Sequence, residues 1–171
     1  MIGKKKSQIW IEVVVYTLIG LSIITLLLAV VKPKIERARD KATIEQTIEI
    51  LKYLDSKIND VKFSGETRPV EMKIGKGILS IIPEENRIDF SMESTYKYSE
   101  LNRTIFSGNI AIETTEGYNV LLSIAYDNYN ITYNGDKERH DFQEAAVPYK
   151  LLISNIGSEN NKINIDIKEI S

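Results

Sequence analysis

Hydrophobic residues are distributed along this chain in three successive patterns. The first is an unbroken run: from Val13 to Val31 no residue carries a charge, and these 19 residues approach the roughly 20 that a helix needs to cross a hydrocarbon layer about 30 Å thick. The pattern predicts a membrane-crossing helix over 8–31, with Glu12 as its one charged intruder. The second pattern begins after Lys32-Pro33-Lys34. Ile35, Ala38, Ala42, Ile44, Ile48, Leu51, Leu54, Ile58 and Val61 recur mostly at spacings of three and four, with charged residues between them, which predicts an amphipathic helix over 32–64. Pro33 lacks a backbone donor and disfavours helix at Lys32, so a kink or local unwinding is expected there. Apart from that point, Gln8 to Lys62 form nearly one continuous helix, about 80 Å long.

The third pattern is short alternation. Candidate strands run from Pro69 to Ile74 and Ile78 to Ile82 as a hairpin about Gly75-Lys76-Gly77, then from Arg87 to Met92. Ile110 with Ile112, Val120 to Tyr126, Tyr129 to Tyr133, Val147 to Ser154 and Ile163 to Ile170 complete a set of about seven or eight short antiparallel strands. Residues 65–171 therefore predict a β-sandwich or strongly curved sheet, and the chain as a whole an α+β fold. The charged run Asp136 to Asp141 reads as a surface loop.

Charge sharpens the membrane reading. Lys4, Lys5 and Lys6 precede the apolar run and favour a cytoplasmic N-terminus, which makes this a single-pass protein with its C-terminal domain extracellular; Lys32, Lys34, Arg37 and Arg39 blunt that asymmetry. With 22 basic against 24 acidic residues and no other dense basic cluster, nucleic acid is not an expected partner. The chain has no cysteine, which excludes disulfides, thiol catalysis and cysteine-ligated metals.

The β-rich part offers no expected catalytic, cofactor or metal residue. His140 is the only histidine and lies in the charged run as a solvated residue, without a nucleophile placed by motif. Gly75-Lys76-Gly77 is too short for a phosphate loop. Asp127, Asn128, Asn130, Asn134 and Asp136 lack the regular spacing of a calcium loop. Two sequons, at Asn102 and Asn130, are acceptors for N-glycosylation if the domain is extracellular.

Residues 1 to about 60 resemble the class III signal peptide and N-terminal helix of the type IV pilin superfamily, in its archaeal form. The resemblance is carried by Lys4-Lys5-Lys6, the Ser7-Gln8 junction, Glu12 four residues later, the apolar helix and its amphipathic continuation. It implies a basic leader over 1–7 and a prepilin peptidase that cuts between Ser7 and Gln8. Losing the three leader lysines takes the formal charge from −2 to −5. The helix is then expected to leave the lipid bilayer and pack against other pilin subunits, Glu12 neutralising the new amine of a neighbour. The implied function is structural, as a major or minor subunit of a filament for adhesion, motility or secretion, and not enzymatic. The alternative reading keeps the helix as a permanent membrane anchor for an extracellular binding module or an accessory component of a surface machine.

Overall fold

The computed structural model describes residues 3–61, 63 and 65–170, with side chains from Trp10 onward. It is an α+β fold. One helix, α1, runs from Gly3 to Asp60. Ten strands follow among the described residues: β1 (Thr67–Met72), β2 (Ile78–Ile82), β3 (Arg87–Glu93), β4 (Ile105–Ser107), β5 (Ile110–Thr114), β6 (Asn119–Ala125), β7 (Tyr129–Tyr133), β8 (His140–Phe142), β9 (Tyr149–Glu159) and β10 (Lys162–Glu169). The chain separates into two compact units, Met1–Arg39 and Asp40–Ser171, so the later part of α1 belongs with the strands.

In the first unit the helix continues through Lys32, Pro33 and Lys34 without a gap, so the local unwinding expected at the proline is absent. Three hydroxyls along it are spent locally: Thr17 donates to the Val13 carbonyl at 2.6 Å, Ser22 to that of Leu18 at 2.7 Å and Thr25 to that of Leu21 at 2.8 Å. A hydroxyl satisfied by its own helix exposes no free donor, which is what an apolar medium requires.

In the second unit the apolar stripe of α1 is buried as its spacing predicts. Ile44, Ile48, Leu51, Leu54 and Ile58, with Val61 just past the helix end, join the inward residues of the strands in one continuous core. Two sheets supply the rest. One has four strands in the order β1-β9-β10-β7, the other six in the order β4-β5-β6-β3-β2-β8. Alternation decides which residues face in: in β6, Val120, Leu122 and Ile124 are buried while their neighbours are not, and in β3 Met92 is buried between exposed Ser91 and Glu93, whereas Asp89 is buried along with Ile88 and Phe90.

The helix end is tied to β9 by one side chain. Asn155, itself buried, donates from Nδ2 to the Val61 carbonyl at 3.0 Å and accepts the Gly157 N–H on Oδ1 at 2.9 Å. It thereby supplies a donor to a carbonyl of the kind left orphaned beyond a helix C-terminus.

Three expectations need correction. β1 and β2 are not a hairpin: β1 pairs with β9 from Thr67↔Ser154 to Met72↔Tyr149, while β2 pairs with β3 and β8. Gly75-Lys76-Gly77 is therefore a crossing from one sheet to the other. Gly77 suits it, since its φ is +93° and a Cβ there would lie 2.6 Å from the Ser91 carbonyl oxygen. Second, the sheets are not wholly antiparallel, because β10 runs parallel to β7 from Ile163↔Tyr129 to Ile167↔Tyr133. Third, the polar run 136–141 is not all loop. Its end enters β8, and His140, half-buried rather than solvated, stacks on Tyr133 with ring centroids 3.9 Å apart. Phe142 meets both rings edge-on, at 4.6 Å from His140 and 5.6 Å from Tyr133. Through these contacts β7, an edge of the four-stranded sheet, and β8, an edge of the six-stranded sheet, close one flank of the core.

Candidate functional site

The helix from Trp10 to Val31 is the feature that folding of this chain leaves unpartnered. Every described residue from Trp10 to Arg39 is exposed except the half-buried Gly20, and the exposed set includes Trp10, Tyr16 and the long run of Leu, Ile and Val side chains that continues to Val31. The stretch is long and apolar enough to cross a membrane. Each large apolar side chain withdrawn from water contributes about 1.5–3 kcal/mol, so such a face is costly until lipid or another helix covers it.

Glu12 stands at the head of this face. It is exposed, and among the described residues no cation pairs with it. The expected leader 1–7 and the cleavage point between Ser7 and Gln8 fall among residues 1–9, whose side chains lie outside the described residues; the backbone from Gly3 is helical. Pro33 follows two residues after the apolar stretch ends, inside α1.

The second unit contributes a different kind of site. Asp40 opens it. This carboxylate is 5% exposed; its Oδ1 accepts the Lys76 ammonium at 2.5 Å, and its Oδ2 accepts the Thr95 backbone N–H at 2.6 Å and the Thr95 hydroxyl at 2.8 Å. Burial alone raises the pKa of such a group, but the Lys76 and Thr95 hydrogen bonds outweigh it and hold Asp40 below the usual carboxylate range. From the sequence, Asp40 is expected to pair with Arg37 along the helix; its partners are instead Lys76 and Thr95, distant in sequence. The signal for its burial was there, since it lies four residues before Ile44 and heads the stripe that continues through Ile48 and Leu51.

Nearer the end of α1, Tyr129 donates its hydroxyl to Asn59 Oδ1 at 2.9 Å, and Asn59 Nδ2 donates to Asp55 Oδ1 at 3.1 Å. The Tyr126 hydroxyl is shut off from solvent with no partner in hydrogen-bonding geometry. Burial, reinforced by the Asp55 carboxylate, pushes its pKa upward and keeps it protonated.

The structure separates the two sequons. Asn102 sits at a turn with φ of +57°, and residues 101–106 around it are all exposed. Asn130 lies within β7, half-buried, with its Nδ2 already donating to Asn164 Oδ1 at 2.8 Å. The Thr132 hydroxyl of the same sequon is spent on Asp166 at 2.8 Å. The five polar residues considered for calcium are also divided. Asp127 and Asn128 line a depression with Asp55 and Asn59, whereas Asn130 lines a separate one of about 470 Å³ with Asn86 and Asn164. Among the described residues no three acidic or histidine side chains converge in a way that could hold a metal ion.

No protein-family model, no curated protein and no solved structure matches this chain.

Proposed function

We propose that this chain is a structural subunit, a major or minor pilin, of a type IV pilus-like surface filament. In this reading a prepilin peptidase removes residues 1–7, and the helix that begins at Gln8 passes from the bilayer into a core built of equivalent helices. The observation that supports it most is the join between an entirely exposed apolar helix and Glu12 at its head. An apolar cylinder alone would serve as an anchor. A carboxylate placed at its end is expensive in lipid but useful where a neighbouring subunit brings a free amine, because opposite charges attract strongly in a dry core and fix the offset between helices even when desolvation cancels most of the energy gained. The Asp40–Ser171 unit is then the part displayed on the filament surface, where its role is contact rather than catalysis.

The experiment is the intact mass of the protein isolated from its native cell envelope, followed by the Glu12→Ala variant. A mature chain starting at Gln8, with filaments lost on substitution, supports the proposal. A mature chain starting at Met1 would leave a permanent anchor carrying an extracellular binding module. Normal filaments from Glu12→Ala would remove the carboxylate from the mechanism.

A further inference from the structure

We infer that the helical turns immediately after the apolar stretch form a cationic collar whose ligand is the anionic phosphate of lipid headgroups in the leaflet at the C-terminal end of the span. The inference rests on the reading of 13–31 as a lipid-crossing segment and adds what holds that segment at its depth.

Four cations fall within eight residues: Lys32, Lys34, Arg37 and Arg39, all exposed. The one acid among them is Glu36, which meets Lys32 only loosely, at 4.0 Å between two exposed side chains. Asp40, the next acid, does not offset them, because both its oxygens are committed to Lys76 and Thr95. The run therefore keeps a net positive charge.

Its placement points to lipid rather than to a protein. At about 100° per residue, Lys32 and Arg39 project from one side of the helix and Lys34 and Arg37 from the opposite side. A partner chain docks on one face and would meet half of them; a headgroup layer surrounds a helix and meets all four. The spacing along the axis agrees. Val13 to Val31 rise about 28 Å, close to the hydrocarbon thickness, and Lys32 to Arg39 rise about 10 Å more, which covers a headgroup layer of roughly 5–8 Å with the reach of flexible side chains. Lysine and arginine at such a boundary lay their stems along apolar surface and hold their charges in the polar layer. Should the leader lysines be removed, this collar is the densest cationic run that remains, so it becomes the principal electrostatic hold on the membrane.

The test uses the full chain in vesicles of phosphatidylcholine alone and of phosphatidylcholine mixed with phosphatidylglycerol. Amine labelling is followed by mass spectrometry at Lys32 and Lys34, with Lys52, farther along the same helix, as the internal reference. Labelling of the two collar lysines relative to Lys52 is expected to slow roughly five-fold in the anionic vesicles, and the difference to vanish in about 1 M salt, where charges are screened within roughly 3 Å. Equal labelling in both lipids, with the chain still resisting alkaline extraction, overturns the collar and leaves the membrane span standing. Protection that ignores lipid charge but grows with protein-to-lipid ratio assigns the collar to a second copy and overturns the inference. Release of the chain by alkali overturns both the span and the collar.

Discussion

Asp40 Oδ1 lies 2.5 Å from Lys76 Nζ, across 36 positions of sequence, and this contact joins the start of the folded unit in α1 to the crossing between the two sheets. Replacing Asp40 with Ala removes an acceptor for the ammonium, the Thr95 N–H and the Thr95 hydroxyl at once. Lys76 keeps 41% of its side chain exposed, so its charge returns to water instead of being stranded. The expected loss is about 1–3 kcal/mol, the net contribution of hydrogen bonds to an ionised carboxylate, as read from urea unfolding in detergent.

The same contact sets an acid dependence. Asp40 has a folded-state pKa below its ordinary value, so ionisation favours the folded form. The contribution is fully present above about pH 4 and is lost as pH falls through the lowered folded-state value. The stability difference between the native chain and Asp40→Ala should be constant at neutral pH and narrow on acidification below pH 4. A gap that widened on acidification would show that the contact does not favour the ionised form.

Two neighbours on α1 should respond very differently to truncation. Leu51 is fully buried whereas Tyr53 is 46% exposed. Leu51→Ala leaves a cavity in the shared core and should cost about 2–5 kcal/mol. Tyr53→Ala removes only an exposed ring with Lys57 above it, and a change within about 0.5–1 kcal/mol is expected.

Gly77 and Gly135 give a second contrast. Both have positive φ, +93° and +80°, so alanine at either carries a backbone cost of about 1–2 kcal/mol. At Gly135 nothing lies within 4 Å of the added methyl, whereas at Gly77 it would meet the Ser91 carbonyl and press on Phe90. Thermal unfolding should rank Gly77→Ala well below Gly135→Ala; equal melting temperatures would mean that the crossing shifts at little cost.

The two sequons should also part company. If the folded β unit meets a glycosylation machinery, Asn102→Gln should remove the added glycan mass and Asn130→Gln should leave it unchanged, because only Asn102 presents its amide on an exposed turn. Glycan found on Asn130 would require β7 to be open when modified.

Individual elements were readable wherever one side of the chain meets the core and the other does not. Ile88, Phe90 and Met92 announced β3, and the spacing from Ile44 to Ile58 announced the buried stripe of α1. What the pattern could not carry was pairing. Nothing in Gly75-Lys76-Gly77 distinguishes a tight hairpin from a crossing, since glycine serves both; the difference lies with Asp40 and with the approach of Ser91 and Phe90, all distant in sequence. β8 was hidden for another reason. It is a three-residue edge strand whose neighbours are charged, so its one deep residue, Phe142, makes no periodic signal. Two identical sequon patterns likewise look alike until Asn164 and Asp166 are placed beside one of them.

The parallel pairing of β10 with β7 governs when the unit can become complete. β10 lies between β9 and β7, and β7 reaches its sheet only through β10. A nascent chain that has emerged as far as β9 can already pair β5, β6, β3 and β2, but β7 then lacks its strand partner. Truncation before Lys162 should thus yield half-assembled, protease-sensitive material instead of a smaller stable domain.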